Sequence, residues 1–413
     1  MRILYPLLWS TLDRQACREQ TMSTAAALAR RGHEVTLLMP RRPRDPELSA
    51  DELCRYFAVE GGLELVQRPT RWVGEGLLTS LMWIFQVVRD PALRGADLLY
   101  SRIPAMLGAG HLSPVPFATD HYRRWPDDHP VSRPFLRRTA ARRHCLGLVL
   151  HSHYAADAYR RMGIDEAQLL VAHNGADPIP AAPIRTEARQ QLGLPAWRPI
   201  AVYAGRINGE KGLDQLLALA GLRPETLFLL IGSQGDGPVE RLAAALDNVR
   251  VLPWAGPDAL PLWLQAADVL LVPPSRAPLE RYRNCVLPMK LFAYLAAGRP
   301  ILAPASPDTA ELLEHEQTAL LVAPDRPEAA AAGLDRLLRE PGLAQRLSTS
   351  ARALSAGLTW DTRAEKIAAF LQERLLAVAD SRRAVQRSAY SSTVTPISAT
   401  ISGAAQAPTP AGK

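Results

Sequence analysis

The chain has 413 residues, more than the roughly 250–300 at which a single hydrophobic core stops growing, so two domains are the first expectation. A composition of 47% hydrophobic and 22% charged residues excludes a disordered or fibrous protein. The formal net charge of +7 admits an anionic small substrate, an anionic membrane surface or nucleic acid, and does not choose among them.

The N-terminus, MRILYPLLWSTLDR, has one basic residue before a short strand-like run and no small-residue cleavage site, so no secretory signal is read. From there, short β-branched or leucine-rich runs alternate with longer helical patterns, the mark of parallel sheets with crossover helices. Strands are predicted at Ile3–Tyr5, Val35–Met39, Leu63–Val66, Leu98–Tyr100, Pro116–Ala118, Leu148–Leu150 and Leu169–Ala172. Helices between them include Glu19–Arg31, stopped by Gly32, and Pro134–His144. The longest apolar stretch, Gly76–Val88, falls short of the ~20 residues that a membrane-spanning helix needs.

Three features of this half carry chemistry. His121, beside Asp120, ends the strand PVPFATDHY at its carboxyl end, and histidine suits proton transfer near neutrality, so the pair is read as catalytic or orienting, with a satisfied structural histidine as the alternative. His33, His151 and His153 lie in turns and beside a helix cap and are read as structural. Arg102, after LLYSR, points to the same rim and would receive an anionic acceptor group. The helix SRPFLRRTAARRHC carries Arg133, Arg137, Arg138, Arg142 and Arg143 and suits an anionic lipid surface or is a solvated basic face.

Repeated prolines over Asp177–Pro199 forbid one continuous element and mark a connector. A second strand series follows at Ile200–Tyr203, Leu227–Ile231, Arg250–Leu252, Val269–Val272, Ile301–Ala303 and Ala319–Val322. The expected organisation is a first domain over residues 1–177, a linker over 178–199, a second domain over 200–358, a terminal helix over 359–380 and a disordered tail rich in Ser, Thr, Ala, Pro and Gly over 381–413. The fold class is α/β with two doubly wound, Rossmann-like domains. Cys17, Cys54, Cys145 and Cys285 show neither metal-ligand spacing nor a paired framework, which points to a reducing, cytoplasmic setting.

In AVYAGRINGEKG an apolar strand runs into Gly205 and Arg206, and Lys211-Gly212 then open a helix. Exposed amides, a helix start, a guanidinium fork and an ammonium suit a diphosphate, although an ordinary turn with solvated charges has the same composition. GSQGDGP, from Gly232, is a second glycine turn at the end of a strand. Trp254 in VLPWAGP faces a nucleobase or simply packs. Lys290 sits in the first turn of a helix predicted from Pro288 to Ala297, where a cation opposes the helix dipole unless an anion lies nearby. Neither glycine turn has the full G-x-G-x-x-G of a nicotinamide site.

AGRINGEKG, IGSQGDGP, LPLWLQAADVLLVPPS and PMKLFAYLAAGRPILA, in this order, resemble the nucleotide-sugar-binding half of the GT-B glycosyltransferases, specifically glycosyltransferase family 4 (group 1). ALARRGHEVTLL and the run from VLHSHYAADAYRRMGI to LLVAHNGAD resemble the acceptor domain of the same family. The resemblance implies two domains facing across a cleft, with the terminal helix returning to the first. It implies a nucleotide-sugar donor whose diphosphate meets Gly205, Arg206, Lys211, Gly212 and Lys290 and whose nucleoside meets Gly232, Trp254, Ser275 and Met289. It further implies a glycan or lipid-linked glycan acceptor of cell-envelope polysaccharide synthesis, a retaining outcome, no metal, no other cofactor and no nucleic-acid partner.

Two departures are evident. The family commonly carries glutamates at the positions occupied here by Cys285 and Ala293, with Glu280 as a nearby substitute, and this motivates a second reading as a catalytically silent GT-B-like nucleotide- or glycan-binding protein. The family's glycine-rich loop after the first strand is replaced by LLWSTLDRQACREQT, where Arg14, Arg18 and Gln20 take a similar cleft-facing place, Arg14 and Arg18 as acceptor-binding residues with Arg102.

Overall fold

The computed structural model describes residues 1–393 apart from 14, 75, 104–105, 180–183 and 283–286. The first sheet has seven strands: β1 (Arg2–Pro6), β2 (Glu34–Arg41), β3 (Leu63–Pro69), β4 (Leu98–Ser101), β5 (Phe117–His121), β6 (Cys145–Leu150) and β7 (Leu169–Val171), in the order β3-β2-β1-β4-β5-β6-β7. The second has six: β8 (Ile200–Ala204), β9 (Leu227–Ser233), β10 (Val249–Pro253), β11 (Val269–Leu271), β12 (Ile301–Pro304) and β13 (Leu320–Val322), in the order β10-β9-β8-β11-β12-β13. Neighbouring strands pair in parallel throughout both sheets.

Helices cover both faces of a parallel sheet, so central strands such as CLGLVL of β6 and IAVYA of β8 are buried along their whole length and read as continuous apolar runs. Strand order reverses beside β1 in one sheet and beside β8 in the other. At such a switch point the loops diverge and leave a crevice outside the carboxyl ends of the strands. The turn after β8, with its glycine and cations, stands at that point of the second lobe.

The terminal helix, Trp360–Thr393, buries Trp360, Ala364, Ile367 and Leu371 in the first lobe's core beside Ala25–Leu28 of the helix Ala16–Arg30. Its Arg363 is sunk in that core, where Nη2 donates to Oδ2 of Asp120 at 2.6 Å and Nη1 to the carbonyls of Ala172 and His173. Where the chain re-enters this lobe, Gly175 is pressed against the backbone of Thr359 and Trp360. A Cβ at Gly175 would lie 2.3 Å from the Thr359 carbonyl carbon, so only glycine fits.

Two sequence expectations are corrected. Residues expected to be pure linker contain the helix Arg185–Gln191, because the gap between prolines 183 and 195 is filled by helix formers. Arg189 of this helix is buried, pairs with Asp268 at 2.5 Å and donates to the Ala266 carbonyl, which joins it to the second lobe. The terminal helix runs past residue 380 to Thr393, since neither Gly nor Pro interrupts it there; residues 394–413 lie outside the described ones. Among the described residues no helix is long and apolar enough to cross a membrane.

Removing one partner of a buried ion pair strands the other charge in the core. Arg363→Ala is therefore expected to cost about 3–5 kcal/mol in urea denaturation, and an unfolding midpoint equal to that of the wild type would show that the pair holds nothing together.

Candidate active site

The geometry of the second lobe starts from two glycines. Gly205 and Gly232 both have left-handed backbone, with φ of +146° and +127°, and the Gly205 N–H donates to the Ile231 carbonyl at 2.9 Å. A Cβ on Gly232 would stand 2.2 Å from the Gly205 carbonyl oxygen. The turns after β8 and β9 therefore nest directly on one another, which any larger residue would prevent. A Cβ on Gly205 would lie 2.8 Å from Lys290 Nζ, and one on Gly212 would lie 2.3 Å from the Ser275 Cβ. Four segments distant in sequence thus meet at one spot.

The electrostatics of that spot are set by cations. Lys290 Nζ lies 3.6 Å from the centroid of the Tyr203 ring, and the Tyr203 hydroxyl donates to the Arg206 carbonyl at 2.8 Å. Burial, and then the ammonium of Lys211, push Lys290 well below the ordinary lysine range. Lys211 is itself pushed down by burial and by the guanidinium of Arg206, against an opposing effect of Glu210, which pairs with Arg281 at 3.3 Å. Arg206, Lys211 and Lys290 therefore form a chain of mutually repelling cations, the arrangement that an anion of two or more charges complements.

The nucleoside-side residues spread along the same edge. Ser275 is buried and its Oγ accepts from the Ala277 N–H at 3.1 Å. Trp254 is 41% exposed at the end of β10, the edge strand two places from β8. Met289 packs against the first lobe's apolar cluster, so it bridges the lobes. Ala293 lies part-buried in the helix Lys290–Ala297 and Glu280 is exposed on the helix Ala277–Tyr282, while Cys285 is outside the described residues.

The first lobe corrects several expectations. Asp120 does not face the cleft. It is fully buried and takes hydrogen bonds from Arg363, from His151 Nε2 at 2.7 Å, from the Tyr100 hydroxyl at 3.1 Å and from Gln20 Nε2 at 3.3 Å. Burial alone would raise its pKa, but Arg363 and His151 outweigh that and hold it well below the carboxylate range, as a structural counter-ion. His121 points to the opposite face of the sheet, is 1% exposed, and shares a 2.5 Å hydrogen bond with the Tyr159 hydroxyl through Nδ1. Burial lowers its pKa to about 4, so at neutral pH it is a neutral hydrogen-bonding ring and not a group titrating near 7. Its Nε2 has no hydrogen-bond partner among the described residues.

The arginines of this rim are also engaged. Arg102 donates to the Cys17 carbonyl at 2.7 Å and lies over Tyr122. Arg18 pairs with Asp13 at 2.8 Å and donates to the Thr11 carbonyl, bracing the loop after β1. Gln20 is buried in the Asp120 network, and Arg14 is outside the described residues.

Sequence reasoning missed the contact that joins the lobes across the crevice. Glu311, after β12, accepts from the backbone N–H of His153 at 2.7 Å and of Tyr154 at 3.4 Å, at the start of the helix His153–Arg161, and from His173 Nε2 at 2.9 Å. Ligand atoms of His153, His173 and Glu311 lie within 4.8 Å of one another, close enough for a metal, but the hydrogen bonds already account for the carboxylate's position. Partners 158 and 138 residues apart leave no spacing signal.

Residues 184–354 match the family model described as glycosyl transferases group 1, and residues 19–179 match glycosyltransferase family 4, so that the two matches take in most of the chain. The chain belongs to the GT-B glycosyltransferases of this group. A D-inositol 3-phosphate glycosyltransferase of Xylanimonas cellulosilytica is 32% identical to it over 223 residues, which are 50% of this chain and 52% of that protein. WcaI of Escherichia coli K12, named for colanic acid biosynthesis, is 35% identical over 161 residues, 37% of this chain and 39% of its own. The chain thus spans about half the length, or less, of these two relatives. The crystal structure of Anabaena Alr3699/HepE in complex with UDP-glucose shares the fold at a TM-score of 0.67 and 18% identity, covering 90% of this chain and 100% of that chain.

The buried His121 ring gives a pH prediction. Its folded pKa of about 4 lies below the unfolded value, so above pH ~6.5 it has no effect, and as pH falls below that the unfolded state alone takes up the proton. Folded stability is expected to fall by about 1.4 kcal/mol per pH unit from this ring between pH ~6.5 and the folded pKa. Urea titrations across that window should show a shallower slope, by about one proton, in His121→Asn; parallel curves would contradict the assignment.

Proposed function

We propose that the protein transfers a sugar from a nucleoside-diphosphate sugar to a glycan or lipid-linked glycan acceptor of cell-envelope polysaccharide synthesis, with retention of anomeric configuration. The observation that carries this reading is the convergence of Arg206, Lys211 and Lys290 on the nested turns at Gly205 and Gly232. As the bond from the anomeric carbon to the diphosphate breaks, the sugar becomes oxocarbenium-like and negative charge builds on the leaving diphosphate. Fixed cations at that position stabilise the separating charge more than the ground state, and so lower the barrier.

These side chains supply the charge that a divalent ion would otherwise bring, so the transfer is proposed to need no metal. Gly232, Ser275, Met289 and Trp254 are assigned to the nucleoside, in keeping with the UDP-glucose held by the HepE structure. His121 and Asp120 are not assigned to the transfer, because both side chains are buried and the His121 Nε2 is closed off from the surface. The acceptor class is supported by WcaI, whose name places it in colanic acid biosynthesis. A cytoplasmic site of action fits the free Cys17, Cys54 and Cys145.

Ala293, on the helix that presents Lys290, favours one other reading, a silent binding protein that holds the nucleotide without turnover. Thermal shifts with uridine, guanosine and adenosine diphosphates and their sugars are expected to single out one base. Arg206→Ala and Lys211→Ala should each weaken that nucleotide about 10- to 100-fold, the loss of one charge-assisted contact. Shifts of wild-type size in both variants would remove the donor site, whereas a normal shift without release of free nucleoside diphosphate, with or without chelator, would select the silent reading.

A further inference from the structure

Three helices cover the outer face of the first sheet: Leu77–Arg89, Met106–Leu112 and Arg133–Ala140. Trp83, Val87, Leu107 and Leu136 turn inward into one cluster with Leu4 and Phe117 of the strands. The opposite sides of the three helices therefore form a single outer surface.

That surface is both apolar and basic. Leu78, Leu81 and Phe85 recur at helical spacing on one stripe, 60%, 48% and 50% exposed, with exposed Leu112 and Phe135 on the neighbouring helices. Folding does not account for them, since the inward stripe already fills the core. The Arg89 guanidinium lies 3.8 Å from the Phe85 ring centroid, and Arg137, Arg138, Arg142 and Arg143 are exposed alongside. Acidic groups are few in the sequence here: residues 72–95 contain only Glu75 and Asp90, the latter buried against Arg68, and residues 106–112 and 129–144 contain none.

We propose that this face lies on an anionic lipid bilayer, with Leu78, Leu81 and Phe85 entering the headgroup boundary and the arginines meeting lipid phosphates. Side chains that offer apolar depth beside unopposed guanidinium charge match a surface that is itself apolar beneath and anionic above. The placement is specific. A crossover helix runs antiparallel to its strands, so the amino end of Leu77–Arg89 lies at the carboxyl edge of the sheet, beside the crevice. The exposed Trp72, in the segment after β3, lies at that same edge. An acceptor anchored in the leaflet would reach the crevice without leaving the membrane. The inference goes beyond the transfer reaction and does not depend on it.

The test is cosedimentation of the full chain with vesicles of phosphatidylcholine alone or mixed with phosphatidylglycerol. Binding is expected to the mixed vesicles only and to weaken with salt. R137E/R138E is expected to lose about tenfold or more, as is L81S/F85S, both at wild-type melting temperature because every altered side chain is exposed. Failure of the wild type to bind mixed vesicles, or binding unchanged by the charge reversal, overturns the proposal. Binding lost in R137E/R138E but intact in L81S/F85S overturns it as well, since the surface would then hold polyanions without any lipid depth.

Discussion

A carboxylate shut off from water in the fifth strand is neutralised by a guanidinium that arrives 243 residues later, and the assembly of the molecule depends on that pairing. Neither Asp120 nor Arg363 is tolerable in the first lobe's core alone, because a buried unpaired charge carries a desolvation penalty of several kcal/mol. The terminal helix must therefore dock for the first lobe to complete itself, and docking brings the end of the second lobe back to the start of the first. His151, Tyr100 and Gln20 also hydrogen-bond the carboxylate, so it is held from several sides. The buried pair thus fixes the terminal helix in the first lobe.

The part of this that the sequence made legible is the part governed by local rules. Each predicted strand overlaps an observed one, because strands buried on both faces of a parallel sheet read as unbroken runs of Leu, Val, Ile and Ala. The nested turns were legible too, since Gly205 and Gly232 follow such runs and the positive φ that each adopts is one that glycine takes without strain. What stayed hidden depends on side-chain direction and on distance along the chain. Asp120 and His121 are adjacent, and strand alternation sends one to each face of the sheet, a fact that the dipeptide does not betray without knowing which face is which. The Glu311 contact and the Arg363 partner join segments with no common spacing.

The candidate site shows the same division of labour. Backbone conformation at the two glycines sets where an anion can approach, and the cations are brought there by tertiary packing: Lys290 on a helix from late in the lobe, resting on the ring of Tyr203 from β8. Their mutual repulsion is a cost carried by the surrounding apolar core of the second lobe. Such repulsion, which Glu210 offsets in part at Lys211, favours an anionic ligand over a neutral one of the same shape.

The two passages of chain between the lobes also run side by side, with the Ala176 N–H bonded to the Leu358 carbonyl at 3.1 Å and Gly175 against Thr359. Paired tethers yield to bending across their plane but resist torsion along it, so they limit the directions in which one lobe can shift against the other. Glu311, held by the helix start opposite and by His173, is a further tie between the lobes, so any widening of the crevice would have to break those hydrogen bonds.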